Sequence, residues 1–308
     1  MKRQADEAEA ERQRQEKQER KRQEREFFYP KIFCQSSEDM DGQLIDIDDA
    51  EHTIQDESIA LVVTSPPYNI GKQYDNHDDK QDWDIYKNNL LKPVFEQCYK
   101  KLMVGGRIAV NVPNVACQEG EKPIFILFDI FNILQECGFE DREVLTWVKA
   151  DVGDNFQNRM DALAFNTTAW GSWQSPSNPV MRSLSEFVIV MHKGTPKLEC
   201  EENDLFSTKT DLTEVEFKSW TQNVWFIPPV SSKLHPSVFP EELPKRLIKL
   251  YSYPTQIILD PFMGIGTTGI ATIKNNRRFI GFDISEGYCR EAVNAITSLD
   301  LFEQSSDN

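Results

Sequence analysis

Two short stretches carry residue types that could do chemistry. The first is Thr64-Ser-Pro-Pro-Tyr-Asn69. Pro66 and Pro67 fix the backbone and remove two N–H donors, which leaves carbonyl oxygens around Ser65 and Pro66 to face a ligand. Ser65 adds a hydroxyl acceptor, and Tyr68 offers a flat face for stacking. Together they suit a planar amine, its amino group donating to Ser65 Oγ and the Pro66 carbonyl while Tyr68 stacks on the ring. A Pro-Pro pair standing alone would be only a rigid turn after a strand.

The second stretch is Asp260-Pro-Phe-Met-Gly-Ile-Gly-Thr-Thr268. Gly264 and Gly266 allow a tight strand-to-helix turn and close approach of backbone to a ligand. Asp283 ends the next strand, 19 residues after Gly264. A carboxylate at that distance can accept hydrogen bonds from ribose hydroxyls. No Lys-Ser/Thr follows the glycines, so the stretch is not a Walker phosphate loop, and the third glycine of the dinucleotide fingerprint is missing. A nucleoside without a pyrophosphate fits better, and S-adenosyl-L-methionine is such a ligand.

The elements that must hold these stretches follow from apolar patterning. SIALVVT (58–64) reads as a buried strand ending at the proline pair. Residues 85–103 have helical spacing, with Gly105-Gly106 expected to stop the helix. Further strands are expected at 107–112, 143–148, 186–191, 257–259 and 279–282, with helices at 123–137, 239–252 and 267–276. Strands alternating with helices predict an α/β, doubly wound, mostly parallel sheet. Residues 151–232, rich in Asn, Ser, Trp and Pro, interrupt the alternation and read as an inserted region that touches substrate. The expected organisation is a charged tail (1–26), a first half of the folded domain (27–150), the insertion (151–232) and a second half (233–308).

The chain has 308 residues, with 34 Lys and Arg against 50 Asp and Glu, a formal net charge of −16. That balance argues against non-specific nucleic-acid binding, so any such role needs a local basic surface. Lys72, Lys149, Arg159, Arg182, Lys193, Lys197 and Lys218 are candidates for one. The tail holds nine basic and eight acidic residues and no apolar stripe, which predicts a solvated helix or frayed end rather than a coiled coil. Six cysteines without a C-x-x-C exclude a zinc ribbon and point to reduced thiols. No secretory signal and no membrane-spanning run are expected, and for a prokaryotic chain the expected location is the cytoplasm, in association with DNA. His77-Asp78-Asp79 reads as solvated surface rather than a metal site.

The two stretches together resemble the DNA amino-methyltransferases. TSPPYN resembles their catalytic motif and DPFMGIGTT their S-adenosylmethionine motif, and the order resembles the permuted β class. Lys233-Leu-His-Pro-Ser-Val-Phe-Pro-Glu-Glu-Leu-Pro-Lys-Arg-Leu247 resembles the family helix that precedes the cofactor motif. Thr168-Ala-Trp-Gly-Ser-Trp-Gln-Ser-Pro-Ser-Asn-Pro179, with Arg182 and Glu186, resembles a loop near the target-base pocket. The resemblance spans residues 32–297. It implies that Ser65, Pro66, Pro67 and Tyr68 are catalytic. It implies that Asp260, Pro261, Phe262, Gly264, Gly266, Thr267, Asp283, His235 and Phe239 hold the cofactor. Asn69, Lys72, Trp173, Ser175, Asn178 and Arg182 would contact substrate DNA. The target base would swing out of the duplex, and its amine would attack the sulfonium methyl directly. No Pro-Cys dipeptide exists to serve cytosine-C5 chemistry. Ser65, where adenine-specific members more often carry Asp, tilts the reading toward cytosine N4, with adenine N6 as the alternative. Methylation of RNA or a protein amide, and a non-catalytic binder, stay open. Residues 195–225 are the expected part of the base-reading surface. Double-stranded DNA is the expected partner; a homodimer and a cognate restriction enzyme are further expectations.

Overall fold

A computed structural model describes residues 18–72, 80–115, 123–150, 174–179, 183–198, 209–230 and 238–299, together with positions 12, 15, 172 and 181. Its centre is an eight-stranded sheet among the described residues. The strands are β1 (Lys31–Phe33), β4 (Ile59–Thr64), β5 (Leu102–Val112), β6 (Glu140–Val148), β7 (Ser185–His192), β8 (Val224–Phe226), β9 (Ile257–Asp260) and β10 (Arg278–Phe282). Their order is β1-β10-β9-β4-β5-β7-β6-β8, and a separate two-stranded ribbon pairs β2 (Leu44–Ile45) with β3 (Glu51–His52). Among these described strands, only β7 runs antiparallel to its neighbours in the large sheet.

Each central strand is apolar on both sides because helices cover both faces. Val62, Ile108, Val110, Ile189 and Met191 point to one side, where they meet α2 (Lys92–Lys101) and α3 (Ile126–Glu136). Leu61, Val63, Ala109, Val188 and Val190 point to the other, against α5 (Glu242–Tyr251). Toward the β1 edge, Ile32 and Phe279 pack with α6 (Thr267–Lys274) and α7 (Glu286–Thr297). The expected doubly wound, mostly parallel sheet is therefore present.

The connections from β4 and β9 diverge. The chain leaves β4 through α1 (Trp83–Tyr86), a π-helical turn (Lys87–Leu91) and α2 to reach β5 on one side. It leaves β9 through α6 to reach β10 on the other. The two neighbouring strands thus flank a topological switch point, where open α/β sheets form a crevice at the carboxyl ends of their strands. The π turn sits just before Pro93, whose missing N–H and ring would otherwise clash with a regular helical ladder.

Two expectations need correcting. The helix ends at Lys101, not at the glycine pair, because Leu102 already has extended backbone (φ −67°, ψ 137°). Gly105 and Gly106 lie inside β5, where the pairing with β4 slips between Ile59↔Leu102 and Leu61↔Arg107. Gly105 takes φ +74°, and a Cβ there would sit 1.9 Å from the Lys197 carbonyl oxygen. The range 151–232 is also not purely an insertion. It supplies β7 at the heart of the sheet, β8 at its edge, and α4 (Glu214–Trp220), opened by a Thr213–Glu216 capping box.

The helical run 18–28 is exposed through residue 24 and is anchored by buried Phe28. Arg278 lies 4.9 Å from the Phe27 ring centroid.

Candidate active site

Both motifs sit in the switch-point crevice, one on each strand that bounds it. Asp260 ends β9 and is fully buried, yet it accepts three hydrogen bonds. Thr64 Oγ1, at the end of β4, donates at 2.7 Å. Thr268 Oγ1 in α6 donates at 2.6 Å, and the Phe262 N–H at 3.1 Å. One carboxylate therefore ties the strand that carries Ser65 to the turn that carries the glycines. Burial pushes its carboxyl up to about 6, against the pull of those hydrogen bonds.

The glycine turn is closed by its own groups. The Met263 N–H donates to the Phe282 carbonyl at 2.9 Å, and Gly266 N–H to the Met263 carbonyl at 3.0 Å. Gly264 N–H donates to Asp283 Oδ2 at 2.9 Å, and Ser285 N–H to Asp283 Oδ1 at 2.9 Å. Ser37 Oγ donates to the Pro261 carbonyl at 2.9 Å. Gly266 has φ +83°, and a Cβ there would lie 2.8 Å from Ala292 Cβ of α7, so packing and backbone both require glycine. These four N–H groups are taken up within the protein, so the turn is no phosphate cradle of the kind that free N–H groups build. Apolar Ile284, 43% exposed, follows Asp283 in the chain, and half-buried Phe262 lies two residues before Gly264, whose N–H the Asp283 carboxylate accepts. An acid with apolar neighbours suits a nucleoside better than a phosphate. Thr267 opens α6 and is half-buried.

On the other side of the crevice, the Ser65 and Tyr68 hydroxyls share a 2.8 Å hydrogen bond. Ser65 Oγ also approaches the Asn111 carbonyl at 3.2 Å. Tyr68 is buried, and its hydroxyl donates to Glu186 Oε2 at 3.3 Å. Asn111 Nδ2 donates to that same oxygen at 2.6 Å and to the Tyr68 hydroxyl at 3.1 Å. Lys149, just past the end of β6, donates to Glu186 Oε1. Tyr86, fully buried in α1, donates to the Pro67 carbonyl at 2.7 Å and so fixes the proline turn. Lys72 Nζ lies 5.8 Å from the Tyr68 ring centroid.

The structure brings Ser65, Pro66, Pro67 and Tyr68 to one rim and Asp260, Pro261, Phe262, Gly264, Gly266, Thr267 and Asp283 to the facing one. Asn69, expected to contact DNA, is instead fully buried with φ +56°. Its amide donates to the Gln81 carbonyl and accepts from the Gln81 N–H, both at 2.8 Å, so it staples the two ends of a loop. Phe239 packs on the core cluster beneath α5. Ser175 and Asn178 lie in a small turn: Ser175 Oγ is 2.9 Å from Ser177 Oγ, and the Asn178 carbonyl accepts from Ser172 N–H at 2.8 Å. His235, Trp173, Arg182 and Arg159 lie outside the described residues, as do His77, Asp78 and Asp79.

The expected basic surface also needs correcting. β7 begins at the site with Glu186 and, being antiparallel, ends at the opposite edge. Lys193 therefore lies away from the crevice, donating to the Leu102 carbonyl at 2.8 Å at the start of β5. Lys197 is close by, its carbonyl against Gly105. Lys218 is spent on Glu214 within α4. Asp211 binds buried Arg277 at the start of β10, so the described part of 195–225 begins at that far edge too. Of the expected cations, Lys72 and Lys149 are the described ones at the site.

Thr64 and Asn111 have no role in the sequence reading, and Lys149 and Glu186, expected at a basic surface and near the target-base pocket, are not paired there. The available signal was position. Thr64 closes an apolar strand, Asn111 is the next-to-last residue of a mostly apolar one, and Glu186 is the second residue of the one described strand that runs backwards in the large sheet.

Comparison with known proteins agrees with this fold. The N6/N4 methyltransferase family model, described as DNA methylase, matches residues 59–294. The Type II methyltransferase M.MjaI of Methanocaldococcus jannaschii is 29% identical over 269 residues, covering 76% of this chain and 83% of that protein. M.MjaVI of the same organism is 30% identical over 190 residues, covering 62% of this chain and 87% of that protein. Among solved structures, TTHA0409 of Thermus thermophilus, complexed with S-adenosyl-L-methionine, superposes with a TM-score of 0.63 at 20% identity. That match covers 87% of this chain and 93% of that one. The PvuII DNA methyltransferase (cytosine-N4-specific) superposes with a TM-score of 0.60 at 20% identity, covering 87% of this chain and 86% of that one. At such identities these structures attest the fold.

Proposed function

The chain belongs to the DNA methylase family, and from that premise we propose that it methylates the exocyclic N4 of cytosine in duplex DNA, using S-adenosyl-L-methionine after the base is swung out. The observation that carries this reading is the Asp260 tie. It holds the amine-binding turn and the nucleoside-binding turn across one crevice, as a two-substrate transfer needs. Bound S-adenosyl-L-methionine supplies an electrophilic sulfonium methyl.

The chain's own residues do the positioning. Asp283 accepts ribose hydroxyls, with Ile284 and Phe262 against the base of the nucleoside. The methionine end is assigned, from the family resemblance, to His235 and Phe239, which precede α5 in the chain. Ser65 Oγ and the Pro66 carbonyl accept from the target amino group and direct its lone pair. Tyr68 stacks on the ring; its ring is already fixed by the hydroxyl contacts to Ser65, Asn111 and Glu186. The DNA contacts are assigned to Lys72, Ser175 and Asn178, and, from the family resemblance, to Trp173 and Arg182. Ser65 in the leading motif position favours cytosine.

The test is direct. The protein is incubated with methyl-labelled S-adenosyl-L-methionine and unmethylated duplex DNA of mixed sequence, and the digested nucleosides are identified by mass spectrometry. N4-methylcytosine is expected. N6-methyladenine would keep fold, cofactor and chemistry and overturn the base assignment. No modified nucleoside, with cofactor binding intact, would overturn DNA as the substrate.

Asp283 gives an independent check. Asp283→Ala removes an acceptor and leaves the Gly264 N–H without its partner. A charged hydrogen bond contributes about 1.5–3 kcal/mol, so the cofactor Kd should rise about 10- to 100-fold by calorimetry. Asp283→Asn, which keeps one acceptor, should fall between the two.

A further inference from the structure

Alkylation of the target amine leaves a surplus proton that a serine cannot keep. Family members with Asp in the leading position have a carboxylate at hand; Ser65 offers only a hydroxyl. The hydrogen-bond chain beside it supplies the missing base. Ser65 Oγ and Tyr68 Oη are 2.8 Å apart, Tyr68 Oη is 3.3 Å from Glu186 Oε2, and Glu186 Oε1 is paired with Lys149. Exposure grows along the way: Tyr68 is 5% exposed, the Glu186 side chain 13% and the Lys149 side chain 31%. The chain thus runs from the buried amine site toward water. Asn111 Nδ2 bonds both Tyr68 Oη and Glu186 Oε2, which holds the two in register.

We infer that Ser65, Tyr68 and Glu186 form a proton relay, with Glu186 as its terminal base. This rests on the amine-methylation reading above. In the transfer step the amine nitrogen gains a bond to the methyl carbon. The C–S bond breaks, and its electron pair stays on sulfur. The alkylated nitrogen, a strong acid on a heteroaromatic ring, gives its proton to Ser65 Oγ. The Ser65 proton passes to Tyr68 Oη, and the Tyr68 proton passes to Glu186 Oε2. One sulfonium charge and one carboxylate charge are consumed together, so the site ends neutral in both. The proton then leaves the Glu186 carboxyl for solvent, which restores the carboxylate and its pairing with Lys149. Glu186 acts through Tyr68 and Ser65 and does not itself touch the base.

The test separates basicity from shape. Glu186→Gln keeps the side-chain outline and an acceptor for Tyr68, but it cannot take a proton. Its cofactor Kd by calorimetry and its base extrusion, read by 2-aminopurine fluorescence at the target position, should stay within about twofold of wild type. Single-turnover transfer should fall about 10²-fold. Tyr68→Phe should lose a similar factor, and the double variant no more than either alone, because both break one chain. Added formate should restore part of the transfer to Glu186→Ala and none to Tyr68→Phe; a structural role would not respond to a small external base. Glu186→Gln turning over within about threefold of wild type would overturn the relay, as would additive losses in the double variant. If the wild-type protein methylated no DNA at all, the reading beneath the relay would fall, and the relay with it.

Discussion

At pH 7.5, Asp260→Asn should fold at least as stably as the wild type, while Asp260→Ala should fall about 2–4 kcal/mol below the Asn variant. Both substitutions remove the same buried charge. They differ in what they leave for the three donors that converge on it. Asparagine keeps an oxygen for Thr64 and the Phe262 N–H and offers its amide to Thr268. Alanine leaves all three without an acceptor. The charge itself is a cost at neutral pH, because burial raises the carboxyl from 3.8 to about 6. A raised carboxyl means that the folded chain binds the proton more tightly than the unfolded chain does. The cost is therefore fully present above pH 6 and fades as the pH falls to 3.8. Two pH units correspond to roughly 3 kcal/mol, so wild type should gain about that much on Asp260→Asn between pH 7.5 and pH 4. Asp41 and Glu216, both held down to about 2, lose most of their stabilisation below that window. Unfolding both proteins in urea at the two pH values measures the difference, in which those shared groups cancel. A gap that did not change with pH would show that the Asp260 carboxylate is not strained by burial. Calorimetry on Asp260→Ala should also show cofactor Kd raised more than tenfold, since the glycine turn has lost its tie to β4.

The fold was legible in the sequence wherever a strand was buried on both faces. Runs such as Ile59–Thr64 and Phe187–Met191 have almost no polar residue to suggest an alternative, and each lies in the sheet as expected. The glycine pair at 105–106 misled because a helix stop and a strand bulge use the same residue for the same reason, its tolerance of positive φ. What separates them is the Lys197 carbonyl, which arrives from 92 residues away along the chain and is invisible to any local pattern. The two motifs were legible because proline and glycine fix backbone geometry locally. Their partners were not. Thr64 and Asp260 are 196 residues apart, and Tyr68 and Glu186 are 118 apart. Only the strand order puts β9 beside β4 and the start of β7 beside the end of β5. The same antiparallel strand moves Lys193 to the wrong edge for DNA while bringing Glu186 to the right edge for Tyr68.

Ser65→Ala should lose about 10²- to 10³-fold in single-turnover methyl transfer, with cofactor affinity unchanged. The loss is large because one hydroxyl has two duties. In the proposed reaction it accepts from the target amine, and through its hydrogen bond to Tyr68 it passes the proton on. Cofactor affinity is spared because Thr64, not Ser65, carries the bond to Asp260 and hence to the glycine turn. Stability should drop by only about 1 kcal/mol, the ordinary value of a half-buried hydrogen bond. The two duties can be told apart. Glu186→Gln removes the second and leaves the first, so it should lose less than Ser65→Ala. Adding Glu186→Gln to Ser65→Ala should then cost nothing further, because the relay is already cut at its first member. Radiolabelled methyl incorporation on a rapid-quench timescale, beside calorimetry for the cofactor, reads all of these. Full turnover by Ser65→Ala would remove Ser65 from the chemistry altogether and leave the Pro66 carbonyl as the sole acceptor of the amine. A raised cofactor Kd in Ser65→Ala would instead show that the two rims of the crevice communicate through more than the Asp260 carboxylate.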